Sequence, residues 1–148
     1  MATATVLAGG RRPWHEALEH GGELELWVHA PTWPDLLAQA GRALGEQLLR
    51  GAPTAASGRW RELAVESADR TSLLVDWLNE LLFHAQAEWW IPVEFAAVRA
   101  TDTGIHARAR GVSAGEPPAV FHAAAPHQVR VRDVPGGLEA KVTLEGRQ

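Results

Sequence analysis

The sequence predicts an α+β fold in which two helices pack on an antiparallel or mixed β-sheet. Three observations lead to this prediction. An alternating strand stands early in the chain, two segments carry apolar residues at helical spacing, and alternating segments fill the second half. The 148 residues are expected to form a single domain over 1–148, with an irregular N-terminal segment at 1–15.

The first strand is predicted over "ELELWVH", from Glu23 to His29, because apolar residues alternate with residues of the opposite face. The preceding Gly21-Gly22 pair indicates a flexible strand entry. This histidine-, glycine- and acid-containing corner is open to two interpretations at this point. It is either a turn that starts a strand or part of a functional site.

The first helix is predicted to begin at Thr32, a plausible N-cap, and to end near residues 51–53. Leucine and alanine residues recur at helical spacing along it. Gly41 and Gly45 interrupt this pattern. They either weaken the helix interior or let another element pack close against it.

The segment "DRTSLLVDWLNELLFHAQAEWW" is the strongest helix of the sequence, with Asp69, Thr71 or Ser72 as its cap. Its apolar stripe is broad, which predicts a central position in the core with Trp77 buried. The loop "TAASG" and the strand "RWRELAVES" precede this helix. The strands "PVEFAAVRAT", "GIHARARGV", "HQVRVRDV" and "LEAKVTLE" follow it, and "SAGEPPAVFHAAAP" is predicted to be an irregular connection.

Composition excludes several classes of function. The chain has no cysteine, which excludes disulfides, thiolate nucleophiles and cysteine-bound zinc and fits a reducing cytoplasm. Its opening lacks the basic segment of a signal peptide, and no apolar run is long enough to span a membrane. A net charge of −4 argues against strong, general binding of nucleic acid. A local basic patch stays open, because four arginines fall at strand-like spacing: Arg108, Arg110, Arg130 and Arg132.

The segment "SLLVDWLNELLFHAQAEWWIPVEF", from Ser72 to Phe95, resembles the signature helix and strand of the archease family. Three shorter segments match the family in the same order. The stretch Glu19 to Glu25 is similar to the family's strand entry, His122 to His127 to a later histidine-containing segment, and Leu144 to Gly146 to its terminal strand. The resemblance covers nearly the whole chain from Glu16 onward and implies an archease-like fold.

The resemblance implies a function as well. Archeases are accessory proteins, not enzymes, that bind a metal and activate the GTP-dependent tRNA-splicing RNA ligase by promoting its guanylylation and turnover. The implied metal ligands are Glu23, Glu145 and the backbone carbonyl of Gly146, with Ca²⁺ or Mg²⁺ as the cation because the donors are hard oxygens. The residues implied to line this site are His20, Asp76 and His127.

The sequence departs from the family pattern at the implied ligands. Both family aspartates are glutamates here, and the family's Thr-Ala is Gly21-Gly22. Two further hypotheses therefore stay open. The first is a diverged archease-fold module that has lost the metal and binds some other protein. The second is a small hydrolase that uses Glu23, His20 and His127. Independently of this choice, Trp27, Trp89 and Trp90 are candidate interface residues for a ligase-facing surface.

Overall fold

The computed structural model describes residues 13–49, 55–113 and 121–146; the side chains of residues 20 and 121–128 are outside this description. The elements follow the order β1 (Trp14–His20), β2 (Glu23–Ala30), α1 (Trp33–Leu48), β3 (Ser57–Glu66), α2 (Arg70–Glu88), β4 (Trp90–Ala100), β5 (Gly104–Ser113), β6 (Phe121–Val134) and β7 (Gly137–Gly146).

The described strands form two antiparallel sheets that share a layer of helices. The four-stranded sheet has the order β1-β2-β7-β6, and the three-stranded sheet has the order β3-β5-β4. Both helices contact strands of both sheets, and the side chains between them form one buried core. The predicted α+β class is confirmed, with the strands divided between two sheets. Within the described ranges, neither helix is long and apolar enough to cross a membrane.

Strand β1 corrects the prediction of an irregular segment at 1–15, because it begins at Trp14. Residues 1–12 of that segment lie outside the described residues. Strand β1 pairs with β2 through a two-residue turn in which Gly21 and Gly22 have φ angles of 51° and 92°. Positive φ at both central positions is the requirement of a tight hairpin turn, which glycine meets without strain. The Gly-Gly pair is therefore a hairpin turn, and it was the sequence signal for a preceding strand.

Helix α1 begins as predicted and lies close against β4. The Thr32 hydroxyl accepts a hydrogen bond from the Asp35 amide at 3.3 Å, which caps the helix. A Cβ atom on Gly41 would lie 2.6 Å from the Phe95 ring, and one on Gly45 would lie 2.7 Å from the Pro92 carbonyl oxygen. Both glycines therefore permit close packing of the helix on the sheet. The described helix ends at Leu48, before the predicted end near residues 51–53.

Helix α2 confirms the prediction of a central, buried helix. Asp69 is its N-cap and accepts a hydrogen bond from the Ser72 amide at 2.8 Å. Trp77 is fully buried, and its indole N–H donates to the Leu37 carbonyl of α1 at 2.8 Å. The helix ends at Glu88, two residues earlier than predicted.

Strands β3 and β6 begin earlier than the sequence predicts. Strand β3 starts at Ser57, inside the predicted loop, and β6 starts at Phe121, inside the predicted irregular connection. Alanine and proline are poor strand formers, so the sequence around Pro126 carries little strand signal. β6 is an edge strand of its sheet, where proline is tolerated, and its pairing with β7 is irregular between Ala124 and Val129.

A polar cluster joins the end of α2 to the start of β3 and β4. Glu88 accepts a hydrogen bond from His84 at 3.1 Å and one from Arg61 at 2.7 Å. The Arg61 guanidinium lies 3.9 Å from the centroid of the Trp90 ring. The hydrogen bond from His84, and then that from Arg61, hold the pKa of Glu88 below its usual value of 4.5.

Substitution of Gly45 by alanine tests the close approach of α1 to β4. Alanine raises helix propensity by about 1 kcal/mol, so an open site would be stabilised. Here the added methyl group meets a backbone carbonyl that cannot rotate away. We expect Gly45→Ala to lower the free energy of unfolding by about 1–3 kcal/mol, measured by urea denaturation. A more stable variant would contradict the packing described.

The lowered pKa of Glu88 predicts a pH-dependent contribution to stability. A carboxylate with a depressed pKa in the folded state contributes stability that is complete above its unfolded value and is lost as pH falls through its folded value. We therefore expect the stability difference between the wild type and Glu88→Gln to shrink as pH falls below 4.5. Urea denaturation of both proteins at a series of pH values measures this difference in the free energy of unfolding. A difference that stays constant across this range would refute the linkage.

Candidate metal centre

The β1–β2 hairpin places its two ends in register at one corner of the four-stranded sheet. The backbone of His20 pairs with that of Glu23 across the Gly21-Gly22 turn. The side chain of His20 lies outside the described part of the chain, so its predicted role in lining the site stays a prediction. The hairpin fixes the position of Glu23 at the first residue of β2.

Strands β2 and β7 bring the two predicted carboxylate ligands together. Glu23 and Glu145 are directly opposite each other in the antiparallel pairing. Their neighbours Leu24 and Leu144 are also opposite each other, and both are buried under the helices. Because side chains alternate along a strand, both glutamates point to the outward face of the sheet, where both are exposed.

The spacing of the pair suits a shared cation. Directly opposed residues have Cβ atoms about 4.5–5.5 Å apart. Two carboxylates at this separation repel each other unless a cation lies between them. Gly146 follows Glu145 on β7 and pairs with Phe121 of β6, so its backbone carbonyl belongs to the same corner of the sheet.

Lys141 is the one basic residue of β7, and its side chain is already paired. Lys141 forms an ion pair with Glu25 at 3.2 Å, and the indole of Trp27 donates to the same carboxylate at 2.8 Å. Within residues 13–49, 55–113 and 121–146, neither Glu23 nor Glu145 forms an ion pair with a basic side chain. Both carboxylates are exposed.

The donor set fits a hard divalent cation in part. Two carboxylates and one backbone carbonyl are oxygen donors of the kind that Ca²⁺ and Mg²⁺ prefer. Ca²⁺ takes six to eight oxygen ligands, however, and the described residues contain no group of three histidine, aspartate or glutamate side chains able to hold a metal. A cation held here would need water or an atom of a bound partner to supply its remaining ligands.

Of the other two predicted lining residues, only Asp76 has a described side chain, and it is not joined to this pair. Asp76 is exposed on α2, where it accepts a hydrogen bond from the Ser67 hydroxyl at 2.7 Å. The structure does not bring it into a ligand group with Glu23 and Glu145. The backbone of His127 is part of β6, and its side chain lies outside the described part of the chain.

The four arginines for which a basic patch stayed open divide between the two sheets. Arg108 and Arg110 lie on β5, whereas Arg130 and Arg132 lie on β6. The structure adds Trp60 to the first pair, because the guanidinium of Arg110 lies 4.9 Å from the centroid of its ring. Sequence reasoning missed Trp60 as a surface residue. Its signal was a tryptophan flanked by two arginines in "RWR".

The tryptophans proposed as interface residues differ in exposure. Trp27 is half-buried on the outward face of β2, and Trp90 is buried with 3% of its surface exposed. Trp89 is 51% exposed and has a left-handed backbone conformation, with φ of 54°. An exposed aromatic ring at a strained position is thus available for contact with another molecule.

Comparisons with known proteins agree with this architecture. The Archease protein family matches residues 15–145 of the chain. Protein archease of Methanopyrus kandleri is 31% identical over 105 residues, which are 71% of this chain and 73% of that protein.

Two solved structures share the fold. The solution structure of Methanobacterium thermoautotrophicum protein 1598 has a TM-score of 0.66 and 23% identity, over 88% of this chain and 97% of that one. The crystal structure of an archease, described as a possible chaperone, from Thermotoga maritima has a TM-score of 0.60 and 12% identity, over 90% of this chain and 96% of that one. With the family match spanning β1 to β7, the chain belongs to the archease family.

Proposed function

We propose that this chain is an accessory protein that binds a divalent cation and activates a GTP-dependent tRNA-splicing RNA ligase, promoting its guanylylation and turnover. Membership of the archease family supports the accessory role. The observation that carries the metal-dependent part is the direct opposition of Glu23 and Glu145 on the outward face of the β2–β7 pair.

The proposed site is open, which suits a function exercised on another protein. Glu23, Glu145 and the Gly146 carbonyl would hold Ca²⁺ or Mg²⁺ at an exposed corner, with coordination positions left for water or for the ligase. A divalent cation supplies positive charge that stabilises developing charge on phosphate oxygens. The role of the chain is to present the two carboxylates at a fixed separation on a rigid sheet.

A second candidate is an archease-fold protein-binding module without a metal. The exposed side chains of Trp89 and Phe83 favour it, with 51% and 57% of their surfaces accessible. Exposed aromatic residues are enriched among those that dominate binding energy at protein interfaces. Metal dependence separates this candidate from the first.

Calcium-dependent stability tests whether the glutamate pair holds a cation. A ligand that binds only the folded state stabilises it by about 2.7 kcal/mol at one hundred times its dissociation constant. We expect Ca²⁺ to raise the melting temperature of the wild type and to have no effect on Glu145→Gln. In chelator, the same substitution should stabilise the chain by up to about 0.5 kcal/mol, because it removes repulsion with Glu23.

The matched control for this experiment is Glu16→Gln, which removes an exposed acid of β1 away from the pair. It should retain the response of the wild type to Ca²⁺. An equal response of wild type and Glu145→Gln to both Ca²⁺ and Mg²⁺ would exclude a site at this corner and favour the metal-free module.

A guanylylation assay tests the accessory role. The tRNA-splicing ligase from the same organism is incubated with labelled GTP and a divalent cation, with and without this chain, and the covalent ligase–GMP product is measured over time. We expect the chain to accelerate its formation. Glu145→Gln should reduce the acceleration by about tenfold or more, because the charge near the phosphates is lost.

Three outcomes of the assay are informative. Retained acceleration by Glu16→Gln together with its loss in Glu145→Gln would support the metal-dependent mechanism. Undiminished acceleration by Glu145→Gln would support the metal-free module instead. No acceleration by the wild type with the cognate ligase would refute the accessory role.

A further inference from the structure

The two sheets carry opposite charge. The strands of the four-stranded sheet contain seven acidic residues against three arginine or lysine residues. The strands of the three-stranded sheet contain five arginines against three glutamates. The chain as a whole has a net charge of −4, so the positive charge is concentrated on the smaller sheet. Its arginines are Arg59, Arg61, Arg99, Arg108 and Arg110.

Alternation along the strands places much of this charge on the face turned away from the helices. Leu63 of β3 pairs with Ala107 of β5, and both are buried. Their neighbours Glu62 and Arg108 also lie opposite each other in the register of the two strands, and both are exposed. The outward face of this sheet is thus polar, with Arg108 near its centre.

Trp60 lies among the arginines of this face. The guanidiniums of Arg110 and Arg108 lie 4.9 Å and 5.8 Å from the centroid of its ring. Arg110 is held in place by two hydrogen bonds to Glu94, at 2.9 Å and 3.2 Å. Among the residues that the structure describes, no acidic side chain forms an ion pair with Arg108. Glu62, which lies opposite it, forms an ion pair with His106 at 3.1 Å instead.

An open depression adjoins Trp60 at the start of β3. Its volume is about 510 Å³. Trp60 and Trp90 both contribute to its lining, and the Arg61 guanidinium lies over the ring of the buried Trp90. Arginine and serine side chains complete the lining, which comprises Ser57, Gly58, Arg59, Trp60, Arg61, Trp90 and Ser113.

We propose that the outward face of the β3-β5-β4 sheet binds single-stranded RNA, with Trp60 as a stacking platform for a base and with Arg99 and Arg108 as phosphate contacts. Trp60 is half-buried, which leaves part of its ring accessible. Unpaired bases stack on accessible aromatic rings, and arginines along the same surface neutralise the charge of the phosphate backbone. The exposed hydroxyls of Ser57 and Ser113 offer hydrogen bonds to a ribose 2′-hydroxyl.

RNA fits this face better than an acidic peptide does. The carboxylates of an acidic peptide would pair with the arginines but have no flat ring to stack on Trp60. A polynucleotide offers phosphates to the arginines and bases to the ring. The choice of RNA as the polyanion rests on the proposed function, because the partner of the chain is then an RNA ligase. The charge and the aromatic ring of the face are independent of it.

The test is fluorescence anisotropy of a labelled single-stranded oligouridine of about twelve nucleotides, titrated with the chain alone at low salt. We expect saturable binding by the wild type. Trp60→Ala should weaken it by about tenfold, and Trp60→Phe should retain it within about threefold, because a smaller ring still stacks. Arg108→Ala should weaken binding and lower the slope of log affinity against log salt concentration by about 0.7.

Two variants serve as controls. Arg130→Ala removes an exposed arginine from the four-stranded sheet and should leave affinity unchanged. Trp89→Ala removes an exposed tryptophan outside this face and should do the same. Circular dichroism confirms that each variant is folded before binding is measured.

Several results would overturn the inference. They are undiminished binding by Trp60→Ala, equal losses in Arg130→Ala and Arg108→Ala, tighter binding of oligothymidine than of oligouridine, and binding of polyglutamate with no binding of RNA. Because the ligase is absent, failure here leaves the guanylylation assay untouched. A chain that binds RNA but does not accelerate guanylylation would retain this inference and lose the proposed function.

Discussion

The pairing of β2 with β7 is the constraint on which the candidate metal centre depends. Four consecutive inward pairs of this ladder are buried under the helices, from Leu24 opposite Leu144 to Ala30 opposite Leu138. A slip of one residue would move all these apolar side chains to the outward face, so burial fixes the register. The same register sets Glu23 opposite Glu145. The core therefore holds the two carboxylates close together despite their repulsion. The free energy gained by burying the apolar pairs is far larger than the repulsion between two exposed charges.

The division of charge between the sheets follows from the same architecture. Each sheet turns its apolar face to the helices, and its polar side chains must point away from them. The four-stranded sheet places acids on its outward face, and the three-stranded sheet places arginines there. One small domain thus carries an acidic corner suited to a cation and a basic face suited to a polyanion. The net charge of the chain sums over the acidic corner and the basic face, so it does not indicate the charge of either surface.

The sequence predicts most of the fold because most of its elements have strong local signals. Thr32 caps α1 as predicted, Asp69 is the one of three candidate residues that caps α2, and the apolar stripe of α2 predicts its burial. The errors occur where tertiary pairing decides. Strand β6 runs through alanines and Pro126 because β7 pairs with it, and β1 is a strand because β2 lies beside it.

The candidate site was predictable in part and for a specific reason. The resemblance to archeases singled out Glu23 and Glu145, which are far apart in sequence, and the structure sets them opposite each other. Asp76 was predicted from its place on the signature helix, but a position on a helix does not determine which neighbour its side chain meets. Its partner is Ser67 of the preceding connection. Trp60 was missed because strand spacing alone cannot tell which strands share a sheet.

The presence of glutamate in place of aspartate at both implied ligands has a physical consequence for the proposed cation site. Glutamate keeps the charge and the donor atoms but has one more rotatable bond, and ordering a flexible side chain on binding costs about 0.5–1.5 kcal/mol. Two such side chains would weaken a cation site formed by this chain alone. The loss is smaller when another protein supplies further oxygens, because those ligands add binding energy to the same ordered carboxylates. A pair of opposed glutamates on an exposed sheet corner is thus better suited to a cation shared with a bound partner than to one held permanently by the free chain.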